Sequence, residues 1–115
     1  MTRDPAFAAT PAPPYYAVIF TTRRTAGDKG YEAMAERMAA LAATMPGYLG
    51  AESVRDGEGV GITVSYWESE AAIAHWKRDA EHVAARELGR RDWCQHYDLR
   101  VAKVERAYAF TRATD

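Results

Sequence analysis

The sequence predicts a single α+β domain in which four strands and two helices follow one another as strand, helix, strand, strand, helix, strand. Three observations support this prediction: two stretches with apolar residues at helical spacing, four short apolar runs with strand character, and Pro-Gly or Asp-Gly breaks. The length of 115 residues fits one domain, and 48% hydrophobic residues are enough to build its core.

Residues 15–22 form the first predicted strand, because this apolar run is bounded by prolines and by an Arg-Arg pair. It does not alternate between apolar and polar residues, so both of its faces should be covered. The first helix follows a Gly-Asp-Lys-Gly break and should end at Pro46 and Gly47. Its apolar face, at steps of three and four residues, comprises Tyr31, Met34, Met38, Leu41 and Met45.

The next two strands, residues 48–55 and 60–67, are predicted to form a hairpin around an Asp-Gly-Glu-Gly turn. One face of the third strand is apolar and carries Val60, Ile62, Val64 and Tyr66. The opposite face carries Gly61, Thr63, Ser65 and Trp67. Because the side chains before Trp67 are small, this second face leaves room for a ligand.

The second helix is predicted to begin at a Ser69 cap and to end near Gly89. Its apolar stripe comprises Ile73, Trp76, Ala80 and Val83, and the neighbouring polar stripe comprises His75, Asp79, His82 and Arg86. A final strand is predicted over residues 97–110, after an irregular or helical stretch at residues 90–96. The domain therefore spans residues 15–110, between a flexible Pro-rich arm (1–14) and a disordered tail (111–115).

This order of elements is the split βαβ, or ferredoxin-like, pattern with a four-stranded antiparallel sheet. Right-handed crossovers put both helices on one face of the sheet and leave the other face open. The first strand is apolar on both sides, so apolar residues such as Ala17 and Ile19 should lie on that open face. We therefore expect a homodimer in which two copies pack sheet against sheet.

Composition excludes several classes of protein. The net charge is -1 and the sequence shows no basic stripe, so no nucleic-acid partner is expected. Cys94 is the single cysteine, which excludes an intrachain disulfide and fits a reducing cytoplasm. No apolar run is long enough to span a membrane, and the N-terminal residues lack the apolar core of a signal peptide. A cytoplasmic protein without a membrane partner is expected.

Several segments resemble the antibiotic biosynthesis monooxygenase family. They are Met-Pro-Gly-Tyr at residues 45–48, the strand 60–67, Tyr-Trp-Glu-Ser-Glu at 66–70, Trp-Lys at 76–77 and Ala-Lys-Val-Glu-Arg-Ala-Tyr at 102–108. The resemblance covers residues 15–110 and implies a dimeric α+β barrel. The superfamily includes cofactor-free oxygenases of phenolic polyketides and quinols, haem-degrading monooxygenases, and members without an assigned activity, so the fold leaves the function open.

The resemblance permits a comparison with two branches. Haem-degrading members use an asparagine on the first strand, a tryptophan on the second helix, and a histidine ten residues after it. Trp76 matches that tryptophan, but the histidine position falls on Arg86 and the first strand has no asparagine, which leaves His82 as the candidate iron ligand. Phenol-oxidising members place a tryptophan, a tyrosine and an arginine around the cavity, for which Trp67 or Trp76, Tyr66 and Arg86 are candidates.

The chemistry of a cofactor-free oxygenase assigns roles to these residues. His82 is the candidate acid–base group, since histidine titrates near neutrality, and Arg86 is the candidate anion stabiliser. Candidate substrate-binding residues are Trp67, Trp76, Tyr66 and His75. Each also has a plain structural interpretation, since Trp76 and Tyr66 lie on apolar faces and His75 and Arg86 on a polar one.

No metal site is expected. His75 and His82 lie on one helical face with Asp79, but two turns separate the histidines by about 10 Å, too far for one ion. The function expected is therefore a monooxygenase-like homodimer that oxidises a small planar aromatic compound, of phenol or quinol type, with O2 and without a tightly bound cofactor. Two alternatives stay open: haem binding or degradation through His82, and a non-catalytic dimer that binds a small molecule.

Overall fold

The computed structural model describes residues 4–24, 31–87 and 94–113, with side chains described for all of these except 31–34, 82–87 and 94–95. The elements are β1 (Tyr15–Arg24), α1 (Tyr31–Ala43), β2 (Tyr48–Arg55), β3 (Val60–Trp67), α2 (Glu70–Glu87) and β4 (Cys94–Val104). The predicted order of strands and helices is confirmed. Neither α1 nor α2 combines the length and the hydropathy that crossing a lipid bilayer requires.

The four strands form one antiparallel sheet in the order β2-β3-β1-β4. In the centre of the sheet, Val18 of β1 stands opposite Ser65 of β3 on one side and Val101 of β4 on the other. This topology confirms the predicted ferredoxin-like fold. It also makes β2 and β4 the two edge strands.

The two faces of the sheet differ in what covers them. Directly opposed residues on neighbouring strands share a face. Val18 and Trp67 pack with Ala42 of α1 and Ile73 of α2 into one buried core, so both helices cover the same side, here called the helix face. The opposite side, here called the open face, carries Ala17, Ile19, Val64 and Tyr66 among others. The predicted placement of Ala17 and Ile19 on the face away from the helices is therefore confirmed.

Local signals in the sequence explain the ends of the elements around the helix face. The hydroxyl of Ser69 accepts a hydrogen bond from the backbone N–H of Ala72 at 3.1 Å, which confirms the predicted cap of α2. Thr44 closes α1 by donating its hydroxyl to the carbonyl of Leu41 at 2.7 Å. These caps satisfy backbone groups that the helix ends leave unpaired.

The hairpin between β2 and β3 depends on one carboxylate. Asp56 Oδ1 accepts hydrogen bonds from the backbone N–H groups of Glu58 and Val60, each at 2.9 Å. These backbone donors hold the pKa of the Asp56 carboxyl below its usual value. The predicted turn and both strand boundaries, 48–55 and 60–67, are confirmed.

The final strand differs from its predicted range of 97–110. β4 begins at Cys94 and ends at Val104, because it pairs only with β1, whose ends lie opposite these residues. Beyond Val104 the β1 side continues into Pro14, which has no N–H to donate. Residues 105–113 form neither helix nor strand. The predicted irregular stretch is also wrong for residues 94–96, while residues 90–93 and the predicted helix end at Gly89 lie outside the described part.

Two smaller boundaries also differ from prediction. β1 continues to Arg24, two residues beyond the predicted end, and α1 ends at Ala43 rather than at Pro46. The first difference arises because β1 has a partner on both sides: Arg23 stands opposite Val60, and Arg24 opposite Cys94. The flexibility expected for residues 1–14 and the disorder expected for residues 111–115 stay predictions.

Candidate functional site

Three aromatic side chains meet on the helix face at one end of the sheet. Trp67 is the last residue of β3, Tyr48 is the first residue of β2 and stands opposite it, and Trp76 comes from the second turn of α2. Ring centroids are 5.4 Å apart for Tyr48 and Trp67 and 5.4 Å apart for Trp67 and Trp76. We call Tyr48, Trp67 and Trp76 the aromatic cluster. Such a cluster offers flat surfaces for a planar ligand.

The two indole N–H groups of the cluster have different environments. Trp67 is completely buried, and its Nε1–H donates to Ser65 Oγ at 2.9 Å. The Nε1 atom of Trp76 is also buried, but no acceptor for it exists among the described residues. A buried donor without an acceptor costs about 1–3 kcal/mol. A ligand oxygen that accepted this hydrogen bond would remove that cost.

Apolar side chains of β1 and β4 extend the helix face beyond the aromatic cluster. Leu99 packs against the core that contains Trp67, and the rings of Phe20 and Tyr97 lie 5.2 Å apart. Tyr97 and Val101 remain exposed on this side of the sheet. We call Phe20, Tyr97, Leu99 and Val101 the β4 patch. The aromatic cluster and the β4 patch together form the candidate site, an apolar surface with one buried donor, Trp76 Nε1–H, that has no acceptor in the described part of the chain.

Burial affects the one titratable side chain of the aromatic cluster. Burial raises the pKa of the Tyr48 phenol above its ordinary value, so this hydroxyl stays protonated at neutral pH. The side chains of the aromatic cluster are therefore uncharged at neutral pH.

The structure brings together two of the six predicted site residues, Trp67 and Trp76. Tyr66 lies on the open face, where its hydroxyl donates to Glu52 Oε1 at 2.7 Å, so it does not line a common cavity with Trp67 within one chain. His75 is exposed on α2. The backbone of His82 and Arg86 lies in α2, but their side chains are outside those described, so their predicted roles stay predictions.

Sequence reasoning missed Tyr48, Ser65 and the β4 patch as parts of the site. Tyr48 could have been found from the sequence, because the tight hairpin fixes the strand register and this register places residue 48 beside Trp67. The hydrogen bond from Trp67 to Ser65 joins residues two apart on one strand face and could also have been inferred. The β4 patch had no such signal, since it depends on which strand of the sheet the helices leave uncovered.

The described side chains do not form a metal or haem site. Within the described residues, no group of three His, Cys, Asp or Glu side chains is placed to hold a metal ion. The helix face of β1 presents Tyr16, Val18, Phe20 and Thr22, so it lacks the asparagine that the resemblance to haem-degrading members calls for. Of the histidines with described side chains, His75 is exposed and His96 contacts Asp98 at 3.4 Å on the open face. These side chains do not fit a haem-degrading centre.

The fold and these ring contacts define a small ferredoxin-like protein with an aromatic cluster between its sheet and its helices. A sequence model described as antibiotic biosynthesis monooxygenase matches residues 15–88. A relative named "Uncharacterized protein YqjZ" from Bacillus subtilis (strain 168) is 55% identical over 106 residues, which covers 92% of this chain and 93% of that protein. The chain belongs to the antibiotic biosynthesis monooxygenase family, as the sequence predicted.

Solved structures with the same fold share little sequence with this chain. PA3566 from Pseudomonas aeruginosa has a TM-score of 0.67 at 15% identity, covering 84% of this chain and 98% of that one. SnoaB from Streptomyces nogalater, a cofactor-independent oxygenase, has a TM-score of 0.67 at 13% identity, covering 83% and 97%. A mutant of MhuD with two manganese protoporphyrin IX molecules bound per active site has a TM-score of 0.62 at 21% identity, covering 83% and 99%. These likenesses establish the fold.

Proposed function

We propose that this protein is a monooxygenase that oxidises a small planar aromatic compound of phenol or quinol type with O2 and without a tightly bound cofactor. The observation that supports it best is the buried Nε1–H of Trp76, which has no acceptor among the described residues and lies beside the ring of Trp67. Family membership and the fold shared with a cofactor-independent oxygenase support the same class of reaction.

The site has features that select such a ligand. The aromatic cluster and the β4 patch offer apolar contact to the flat faces of a ring system. The Trp76 Nε1–H can donate to a carbonyl or phenolate oxygen on the ring. A donor fixed in a buried position becomes more effective as negative charge grows on that oxygen, so it favours the deprotonated, electron-rich form of the substrate.

The proposed reaction uses the substrate as its own reductant. A substrate with a CH2 group activated by a phenolic ring gives up two protons and four electrons to O2. One oxygen atom enters the product as a carbonyl, and the other leaves as water. The protein must therefore accept a proton, hold the resulting anion and exclude bulk water.

His82 and Arg86 are the proposed groups for the first two tasks. They follow Trp76 on α2 and are one helical turn apart. A histidine that titrates near neutrality suits proton removal, and an arginine that is always charged suits the anion. Trp76 is the proposed wall of the site, with the buried ring of Trp67 packed behind it.

An oxygen-uptake assay tests this proposal. Purified protein is mixed with a panel of quinols and of phenols bearing an activated CH2 group, and O2 consumption and the carbonyl product are measured. We expect turnover of at least one compound, with kcat lowered about 10²–10⁴-fold in His82→Ala. Arg78→Ala, at an exposed arginine of the same helix, is the matched control for Arg86→Ala and should retain activity. Turnover unaffected by both His82→Ala and Arg86→Ala would show that the residue assignment is wrong.

Haem binding through His82 is the second candidate, and the position of Trp76 on α2 favours it. A haemin titration followed by visible absorbance, with His82→Ala alongside, separates the two. A saturable band at one haem per chain that disappears in the variant would move the protein to the haem-binding branch. The third candidate, a non-catalytic binding dimer, predicts saturable binding of an aromatic compound without O2 consumption.

A further inference from the structure

The second strand contains a bulge where it reaches the aromatic cluster. From Gly50 to Arg55, β2 pairs with β3 in a regular antiparallel register, and this register shifts by one residue between Tyr48 and Gly50. Leu49 is therefore an extra residue with no residue of β3 opposite it. A bulge of this kind bends the strand and changes the direction of the side chains beyond it.

The bulge determines on which face of the sheet Tyr48 lies. Side chains of a regular strand alternate between the two faces, so residue 48 would share the open face with Gly50 and Glu52. The extra residue instead places Tyr48 opposite Trp67 on the helix face. There the two rings form an edge-to-face contact, with centroids 5.4 Å apart and planes at 78°. Without the bulge, the aromatic cluster would lack Tyr48.

The Pro-rich arm, described from residue 4 to residue 14, packs on the other side of the same bulge. A Cβ added to Gly50 would lie 3.1 Å from the Cβ of Ala8, so the arm and the backbone of β2 are in close contact. Gly50 also has a φ of 151°, which side chains other than glycine rarely allow. Glycine at this position therefore permits both the bulge and the close approach of the arm.

Two hydrogen bonds hold the arm on the open face. The backbone N–H of Ala8 donates to Glu52 Oε2 at 2.9 Å, and Thr10 Oγ1 donates to the Tyr15 hydroxyl at 3.0 Å. Glu52 belongs to β2 and Tyr15 to β1, so the arm extends across β3, which lies between these strands. The two contacts keep Ala8 over the bulge.

The start of β2 is also held from the helix face. A Cβ added to Gly47 would lie 2.6 Å from the Cβ of Ala72 in α2, and the backbone N–H of Glu68 donates to the Gly47 carbonyl at 2.8 Å. The chain is therefore contacted by α2 one residue before Tyr48 and by the arm two residues after it. Because β2 is an edge strand of the described sheet, strand pairing restrains it from one side only. The contacts above and below the sheet therefore matter for the position of Tyr48.

We propose that the docked arm is a positioning element of the candidate site: it fixes the bulge of β2 by packing on Gly50, and the bulge holds Tyr48 against Trp67. A docked arm keeps the aromatic cluster closed. When the arm leaves Gly50, the bulge is free to move, Tyr48 separates from Trp67 and the cluster opens. By linkage, a ligand that displaces Tyr48 would also loosen the arm. This coupling is a property of the ligand-free chain and does not depend on what the site binds.

Hydrogen exchange of the Trp67 Nε1–H, followed by NMR in the full-length protein without ligand, tests the proposal. Trp67 is fully buried and this N–H is bonded to Ser65, so it exchanges only when its surroundings open. Ala8→Leu enlarges a methyl group that has no spare room above Gly50 and should release the arm. Exchange at Trp67 should then become about 10-fold faster, as expected for the loss of one aromatic contact.

Ala9→Leu is the matched control, because Ala9 is the exposed neighbour on the same arm, and exchange at Trp67 should not change in this variant. The backbone N–H of Val18, in the buried centre of the sheet, separates local opening from global unfolding. Its exchange should stay within about 2-fold in both variants. Ala8→Pro removes the donor to Glu52 and should reproduce the effect of Ala8→Leu by a second route.

Relaxation of the Phe7 and Ala9 amides shows whether the arm has been released. A released arm with faster exchange at Trp67 and unchanged exchange at Val18 supports the proposal. A released arm with unchanged exchange at Trp67, or with equal acceleration at Trp67 and Val18, would overturn it, because the arm would not act through the bulge. An arm that stays ordered in both Ala8 variants would also overturn it, since docking would then not depend on the contact with Gly50.

Discussion

Trp67 and Trp76 lie with their ring centroids 5.4 Å apart and their planes at 34°, yet only one of the two indole N–H groups has an acceptor in the described structure. Trp67 donates to Ser65, a residue of its own strand, and is closed off from solvent. For the Trp76 donor, the described residues supply no acceptor. We therefore expect Trp67 to contribute to the stability of the core, while Trp76 is the residue proposed to contact a ligand.

Replacing Trp76 by phenylalanine should separate these two functions. Trp76→Phe removes an unpaired buried donor, which gains about 1–3 kcal/mol, and loses part of the ring contact, which costs a similar amount. The free energy of unfolding should therefore change by less than about 1 kcal/mol. Affinity for an aromatic ligand should fall about 10-fold, since the hydrogen bond to its oxygen is lost. Urea unfolding and a fluorescence titration measure the two quantities.

The same substitution at Trp67 provides the control. Trp67→Phe removes a paired donor from a fully buried side chain and leaves Ser65 without its partner, so it should cost about 2–3 kcal/mol of stability. Equal losses of stability in Trp76→Phe and Trp67→Phe would contradict the distinction between the two residues.

Ser65 is predicted to stabilise the fold through Trp67 alone. Ser65→Ala leaves the Nε1–H of Trp67 unpaired inside the core and should cost about 1–3 kcal/mol in urea unfolding. Ser53→Ala is the matched control, because the Ser53 hydroxyl pairs with Thr63 at 2.8 Å on an exposed part of the sheet. Its cost should stay within about 0.5 kcal/mol. A smaller loss for Ser65→Ala than for Ser53→Ala would refute the assignment.

Local patterns in the sequence were sufficient for most of the fold. Alternation and an Asp-Gly turn placed both strands of the β2–β3 hairpin at their observed bounds, and Ser69 marked the start of α2. β4 was misplaced because its ends are set by a distant partner, since Val104 stands opposite Tyr15, where the run of prolines ends. Strand ends of this kind depend on contacts between residues far apart in the sequence.

The site was predictable only in part. The meeting of Trp67 and Trp76 follows from one strand face and one helical stripe, whereas the unused donor of Trp76 depends on what surrounds it in three dimensions. The docking of the arm was not predictable, because proline content indicates an extended chain and says nothing about a contact between Ala8 and Glu52, 44 residues apart. Packing between distant segments decides both features.

Gly47 is predicted to be essential for the packing of α2 on the start of β2. Its φ of 88° is unfavourable for other residues, and an added Cβ would stand 2.6 Å from the Cβ of Ala72. Gly47→Ala should therefore lower the free energy of unfolding by about 2–4 kcal/mol, from backbone strain and displacement of α2. Gly57→Ala is the control, since a Cβ there meets nothing within 4 Å. Similar urea midpoints for both variants would disprove the requirement at Gly47.

The Tyr66 phenol should lose its proton at a higher pH than an ordinary tyrosine, and the free energy of unfolding should therefore fall at high pH. Burial raises the pKa of Tyr66 from the ordinary tyrosine value of 10.0 to about 12, and the hydrogen bond to Glu52 and the charge of Glu52 act in the same direction. As the pH rises, the unfolded chain loses this proton at a lower pH than the folded chain does. The contribution of Tyr66 to the free energy of unfolding is therefore complete below about pH 10 and is lost as the pH rises from 10 to 12. The tyrosinate absorbance of the intact protein, minus that of Tyr66→Phe, isolates this step.

The partner of Tyr66 can be tested by the same titration. Glu52→Gln removes the negative charge but not the burial, so the pKa of Tyr66 should fall only part of the way toward 10. Tyr108→Phe, at a residue that is almost fully exposed, should leave the Tyr66 step unchanged. If Tyr66 titrates at the same pH in Glu52→Gln as in the intact protein, burial alone sets its pKa. The Glu52 carboxylate, which also accepts a hydrogen bond from Ala8, would then be uncoupled from the titration of Tyr66.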